Sequence, residues 1–96
     1  GDKVFDLVII ETPGHTPGHI SVLDDAGSGL LVAGDALNGQ DGAVIGANPR
    51  FTSDIPSADD SVRRLGQFTY DTVVFGHGDP VVGLASQQVA TLGASL

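Results

Sequence analysis

Short apolar runs separated by turn-forming residues dominate the pattern of hydrophobic and polar positions along the chain. The runs are rich in Val, Ile and Leu, which is typical of short, buried β-strands. Between two of them lies the segment DDAGSG, whose Asp, Gly and Ser residues predict the turn of a β-hairpin. The pattern predicts strands at residues 4–10, 20–23, 30–33 and 72–75.

Apolar residues at helical spacing begin after Ser57 and indicate an amphipathic helix. They recur every three or four positions and form one apolar stripe, which consists of Ala58, Val62, Leu65 and Phe68. The segment SADD predicts an N-cap at Ser57 with acidic residues in the first helical turn. A closing helix is predicted at residues 84–92, and a long Gly-, Asn- and Asp-rich loop at residues 34–56.

The length and composition indicate one small folded domain over residues 1–96. Hydrophobic residues make up 41% of the chain and charged residues 17%, as in folded proteins rather than disordered ones. The predicted strands and helices together indicate a layered α/β fold. The chain contains no Met and reaches its first strand almost at once, so we expect it to begin inside a domain.

The net charge of −8 excludes some classes of partner. Nucleic acids and anionic membranes are disfavoured because both require a basic surface. An Asp-rich, Lys-poor surface suits a halophilic, high-salt cytoplasm, although an ordinary acidic domain explains it equally well. The chain has no Cys, no membrane-spanning apolar run and no signal-peptide pattern, so we expect a cytoplasmic protein without disulfides.

Three residues capable of binding a metal each follow a predicted strand: His15, Asp35 and His77. Sites in layered α/β structures assemble outside strand ends, and the glycines beside these residues allow close backbone approach. Taken singly, a histidine is more often a hydrogen-bonded structural residue, and an Asp after Gly is more often part of a turn. Taken together, two His and one Asp form a nitrogen and oxygen ligand set that suits zinc, iron or manganese.

The segments TPGHTPGH, LLVAGD and VVFGHG, in this order and spacing, resemble the C-terminal half of the metallo-β-lactamase superfamily. The resemblance covers nearly the whole chain. It implies half of an αββα sandwich, with a mostly antiparallel sheet that carries helices on one face. The uncovered face of such a sheet is apolar and must be buried, so we expect a partner: the missing N-terminal half or a second copy of this chain.

The resemblance also implies a role for each candidate residue. His15 and His77 would each bind one of two divalent metal ions, zinc or else iron or manganese, and Asp35 would bridge both ions. His19, at the start of the next strand, would hold the loop by hydrogen bonds behind the ligands. The implied activity is hydrolysis of a small-molecule substrate by water that the two metals activate.

The chain lacks the HxHxDH motif with which the other half of the superfamily domain supplies the remaining ligands. Because each metal would then have two protein ligands instead of about three, we expect weak metal binding and an inactive chain without that half. Two other functions stay open. The chain could be a non-catalytic half-domain for oligomerisation or partner binding, or it could bind a single metal through His15, Asp35 and His77.

Overall fold

The computed structural model of the chain describes residues 2–4, 7–14, 16–46 and 52–96. Within these ranges the secondary structure alternates between short strands and two helices of 11 residues. The elements are β1 (Asp2–Val4), β2 (Leu7–Glu11), β3 (Ile20–Asp24), β4 (Leu30–Gly34), β5 (Leu37–Gln40), β6 (Ala43–Gly46), α1 (Ile55–Leu65), β7 (Thr72–Phe75), β8 (Val81–Val82) and α2 (Ala85–Ser95).

The main sheet has the strand order β1-β2-β3-β4-β7-β8 in the described part of the chain. Strands β1 to β4 form an antiparallel meander, and β8 pairs antiparallel with β7. The exception is β4, which pairs with β7 in parallel. Parallel neighbours need a crossover connection, and here it contains the β5–β6 hairpin and α1. The predicted α/β fold with a mostly antiparallel sheet is confirmed.

A single row of buried side chains crosses five strands and forms the centre of the core. The register aligns Val8, Leu23, Leu31, Val73 and Val81 on one face of the sheet, and each is at most 8% exposed. Buried residues of α1 and α2 join the same cluster. The helices therefore cover this face, and the apolar stripe predicted for the first helix is the surface that it buries.

The opposite face of the sheet is also apolar. Ile9, Val22, Val32 and Val74 lie side by side across four strands, and Val32 is 43% exposed. A β-branched row of this kind packs well against another layer, but no described helix or strand covers it here.

The predicted strand at residues 4–10 is in fact two antiparallel strands. The register places Val4 opposite Leu7, so β1 and β2 run in opposite directions. Residues 5 and 6 of the predicted strand lie outside the described residues. A continuous apolar run does not reveal such a reversal. Strand β1 is defined by its main-chain pairing with β2, and its sequence has no distinct side-chain pattern.

The predicted loop at residues 34–56 contains a second, two-stranded sheet formed by β5 and β6. Its turn has Asp41 at φ 54° and Gly42 at φ 80°. Positive φ at both central residues is the conformation that suits a tight hairpin, and Asp-Gly is its common sequence. The sequence does not predict this hairpin, because the strand LNGQ contains Asn and Gly, which have low β-propensity.

The first helix begins earlier than the sequence predicts. Its N-cap is Asp54 and not Ser57, because the Asp54 carboxylate accepts a hydrogen bond from the Ser57 backbone N–H at 3.1 Å. Pro56 is tolerated in the first turn, because backbone N–H groups there make no hydrogen bond within the helix. With this start the first turn contains no acidic residue, so that prediction is also wrong.

The predicted closing helix at residues 84–92 is confirmed in place and ends later, as α2. The short strand β8 before it was not predicted; it has two residues. No helix in the described chain is long and apolar enough to cross a bilayer.

Tyr70 is buried in the core, 1% exposed, and its hydroxyl donates to the Leu65 carbonyl at 3.0 Å. Burial raises the pKa of Tyr70 above its ordinary value. The stability that this phenol contributes is therefore complete below the unfolded-state pKa of about 10 and falls as the pH rises above it.

We expect the free energy of unfolding to fall by about 1.4 kcal/mol more in the native chain than in Tyr70→Phe between pH 8 and pH 11. Urea unfolding of both proteins at the two pH values measures the difference. Parallel pH dependences in the two proteins would contradict this prediction.

Candidate metal centre

The three motif segments meet at one edge of the main sheet. Because β4 and β7 are parallel neighbours, the residues that follow them leave the sheet at the same edge. Antiparallel pairing brings the end of β2 and the start of β3 to this edge as well. The sheet thereby collects Thr12, His19, Asp35 and His77 from distant parts of the sequence.

Asp35 and His77 are in direct contact. Asp35 Oδ1 lies 3.1 Å from His77 Nδ1, although the residues are 42 positions apart in the sequence. The Asp35 side chain is 34% exposed and the His77 side chain 81% exposed. Two potential metal ligands thus lie together at a surface that solutes can reach.

Glycines allow this approach. A Cβ atom on Gly76 would lie 2.5 Å from Asp35 Oδ1, so a larger residue there would displace the carboxylate. The Gly76 N–H donates to the Gly34 carbonyl at 2.9 Å and extends the pairing of β4 and β7 beyond the strands. The unpredicted β5 strand adds a further constraint, because the Gly39 N–H donates to the His77 carbonyl at 3.2 Å.

His19 connects the loop after β2 to the end of β4. Its Nε2 accepts a hydrogen bond from the Asp35 backbone N–H at 3.1 Å. Its Nδ1 lies 2.9 Å from the hydroxyl of Thr12. His19 thus contacts the main chain of a candidate ligand through one ring nitrogen and the preceding loop through the other.

The beginning of the TPGHTPGH segment is held against α1. The Gly14 carbonyl accepts hydrogen bonds from the Asp54 N–H at 2.9 Å and from the Ser53 hydroxyl at 3.0 Å. The buried Ser61 hydroxyl donates to the Pro13 carbonyl at 2.7 Å. This part of the loop is therefore positioned by the helix as well as by the sheet.

His15 lies outside the described residues. Of the predicted ligands, the structure brings Asp35 and His77 together. Across the described ranges, no group of three or more His, Asp or Glu side chains is placed to hold a metal ion.

The donor atoms of Asp35 and His77 fit a divalent cation. Carboxylate oxygen and imidazole nitrogen are ordinary ligands of zinc, iron and manganese. Two such ligands on one tetrahedral ion, each at roughly 2.0–2.1 Å from it, lie about 3.3 Å apart. The observed 3.1 Å between Oδ1 and Nδ1 is close to that spacing.

The sequence pattern does not single out two polar residues of this region: Thr12 and Ser21. Both are buried, at 1% and 0% exposure, and their hydroxyls lie 3.0 Å apart. A signal for Ser21 was present in the sequence, because it occupies an inward-facing position of an apolar strand, two residues before Leu23. Thr12 offered no comparable signal, since a Thr before Pro is also common in plain turns.

Comparison with known proteins decides the family. The sequence profile described as the Metallo-beta-lactamase superfamily matches residues 1–77. The chain belongs to the metallo-β-lactamase superfamily. It is similar to the probable metallo-hydrolase YflN of Bacillus subtilis, with 38% identity over 85 residues. That match covers 77% of this chain and 32% of YflN, so the chain spans about a third of this relative's length.

Solved structures share the fold of this chain. ST1585 from Sulfolobus tokodaii, an archaeal metallo-beta-lactamase superfamily protein, matches with a TM-score of 0.66 and 28% identity, over 88% of this chain and 32% of that one. TTHA1623, solved in a di-iron-bound form, matches with a TM-score of 0.68 and 25% identity, over 98% of this chain and 42% of that one.

Proposed function

We propose that this chain is the metal-binding C-terminal half of a superfamily hydrolase that acts on a small-molecule substrate. The observation that carries the proposal is the contact of Asp35 with His77 at the edge where β4 and β7 end. The similarity to the probable metallo-hydrolase YflN supports the reaction class. The di-iron form of TTHA1623 supports a dinuclear site, and we favour zinc with iron or manganese as alternatives.

Asp35 would bridge the two cations, and His77 and His15 would each hold one of them. Bound divalent cations supply hydroxide at neutral pH and stabilise the negative charge that develops on an attacked carbonyl or phosphoryl oxygen. The residues of this chain position that chemistry. β4 and β7 bring Asp35 and His77 together, and the backbone around Gly34 and Gly76 keeps the carboxylate and the imidazole in reach of each other.

The site needs ligands from elsewhere, since the chain has no HxHxDH motif. The uncovered row Ile9, Val22, Val32 and Val74 is a surface on which a second sheet could pack. We propose the N-terminal half of the domain as its occupant. A second copy of this chain could bury the same surface, but it would add only further copies of the same ligands.

A non-catalytic half-domain that serves oligomerisation or partner binding is the second candidate function. The uncovered apolar face favours it, because an exposed apolar surface is typical of an interaction site whether or not chemistry takes place. Adding an N-terminal half that carries HxHxDH separates the two functions. Hydrolysis of chromogenic esters, thioesters or phosphodiesters would support the enzyme, whereas association without hydrolysis would support the half-domain.

Zinc titration of the chain by calorimetry tests the site directly. We expect Asp35→Asn to weaken zinc binding at least tenfold, because it removes a charged oxygen ligand. Asp41→Asn makes the same chemical change in the exposed β5–β6 turn and serves as the matched control. Equal loss of affinity in both variants, or none in either, would contradict a site at Asp35.

A further inference from the structure

A continuous chain of hydrogen bonds links the ends of β2, β3 and β4 behind the Asp35–His77 pair. It runs from the Asp35 backbone N–H to His19, then to the hydroxyls of Thr12 and Ser21, and ends at the Ala33 carbonyl. The distances are 3.1, 2.9, 3.0 and 3.2 Å. We infer that Thr12 and Ser21 are positioning residues that orient the His19 ring and, through it, the Asp35 main chain.

The direction of each hydrogen bond in this network follows from its Asp35 end. A backbone N–H can only donate, so His19 Nε2 must accept and carries no proton. A neutral imidazole then has its proton on Nδ1, which faces the Thr12 hydroxyl. His19 is thereby assigned as the Nδ1–H tautomer, with Nδ1 as the donor and the Thr12 oxygen as the acceptor.

The Ala33 end of the network leads to the same assignment independently. The Ala33 carbonyl can only accept, so Ser21 gives it its single hydroxyl proton. The Ser21 oxygen then accepts from Thr12, whose own proton is used in that bond. The Thr12 oxygen is left as an acceptor toward His19 Nδ1. Both ends require one direction of donation, so the network has a single consistent state.

Packing keeps the hydrogen-bond network in place. Thr12 and Ser21 are buried, and no described buried side-chain polar atom is without a hydrogen-bond partner. Gly34 has φ 58°, and a Cβ atom there would lie 2.9 Å from His19 Nε2. The missing side chain at Gly34 lets the ring reach the Asp35 N–H. The network begins and ends on residues 33 and 35, on either side of this glycine, so it fixes the backbone from which the Asp35 carboxylate projects.

This role rests on the proposed metal site, but the network itself can be tested without metal. In the metal-free chain at a pH where the ring is neutral, ¹⁵N NMR of the imidazole should show His19 as the Nδ1–H tautomer. Finding the Nε2–H tautomer would overturn the inference, and this measurement needs no variant to fold.

Variants then test whether the hydroxyls position Asp35. Thr12→Val removes the acceptor for Nδ1–H, and we expect hydrogen exchange of the Asp35 amide to accelerate at least tenfold. Thr12→Ser retains the hydroxyl and should restore slow exchange, while Thr91→Val, on the exposed face of α2, is the control for the Thr-to-Val change. Ser21→Ala should act in the same direction as Thr12→Val. Unchanged Asp35 exchange in both Thr12→Val and Ser21→Ala would overturn the positioning role.

Zinc affinity links the network to the site. If the hydroxyls position Asp35, Thr12→Val should weaken zinc binding by roughly 10- to 100-fold and Thr12→Ser should not. If Thr12→Val changed the exchange of the Asp35 amide but not the zinc affinity, the hydrogen-bond network would stand. Its role in positioning Asp35 as a metal ligand would be overturned. Failure of the chain to bind zinc even when an N-terminal half that carries HxHxDH is added, with the Nδ1–H tautomer present, would contradict the proposed function and not the network.

Discussion

Gly14→Ala is expected to lower the free energy of unfolding by roughly 2–5 kcal/mol. Gly14 has φ 137°, a conformation that L-residues rarely adopt, and an added Cβ would overlap the backbone of Ala58 in α1. Neither the helix nor the loop can yield easily, because the Gly14 carbonyl also accepts hydrogen bonds from Ser53 and Asp54. For a chain of 96 residues, this loss is a large part of a total stability of about 5–14 kcal/mol.

The TPGH repeat supplies the control for this substitution. Gly18 occupies the same place in the second copy of the repeat, but in the described part of the chain nothing except its chain neighbours lies within 4 Å of the position of its added Cβ. Gly18→Ala should therefore change stability by less than about 1 kcal/mol, in either direction. Urea unfolding of both variants measures the contrast. Equal losses in the two variants would show that the first repeat is not held against α1 in the way described.

Gly76→Ala is expected to damage the proposed metal site while leaving the fold nearly intact. The added Cβ would lie 2.5 Å from Asp35 Oδ1. Since the carboxylate is the end of a partly exposed side chain, it can turn away at a cost in stability below about 1 kcal/mol. In doing so it leaves His77, and we expect zinc affinity to fall by roughly 10- to 100-fold.

Gly46→Ala is the matched control for this experiment. Gly46 ends the β6 strand, and among the described residues its added Cβ would meet nothing within 4 Å apart from its chain neighbours. It should alter neither stability nor zinc affinity appreciably. Calorimetric zinc titration and urea unfolding on both variants give the two readouts. Native zinc affinity in Gly76→Ala would place the metal away from Asp35, whereas a large loss of stability would mean that the carboxylate cannot move.

The main strands were predictable because their signals are local. Strand β4 is a run of apolar residues bounded by glycines, and its buried alternation follows directly from the period of a strand. The errors occurred where stability comes from pairing with other elements. The β5–β6 hairpin has weak strand residues, and β8 is a two-residue strand that exists through its pairing with β7.

The candidate site was predictable in its residue types but not in its assembly. Asp35 and His77 were identified as residues that follow strands, and the family resemblance gave each of them a role. Their contact depends on the parallel pairing of β4 with β7, which local sequence patterns do not predict. The partners of His19 were equally hidden, because Ser21 and Thr12 are selected by the register of β2 against β3.

The sequence by itself determined the chemistry that is available: an acidic chain without Cys, short strands, one amphipathic helix, and histidines and an aspartate at strand ends. These properties are encoded by neighbouring residues, through side-chain periodicity and turn preferences. The tertiary structure alone decided which strand ends meet, why Gly14 and Gly18 differ within one repeat, and in which direction protons are donated around His19. Those properties depend on register and packing between residues far apart in the chain, and local sequence patterns do not determine them.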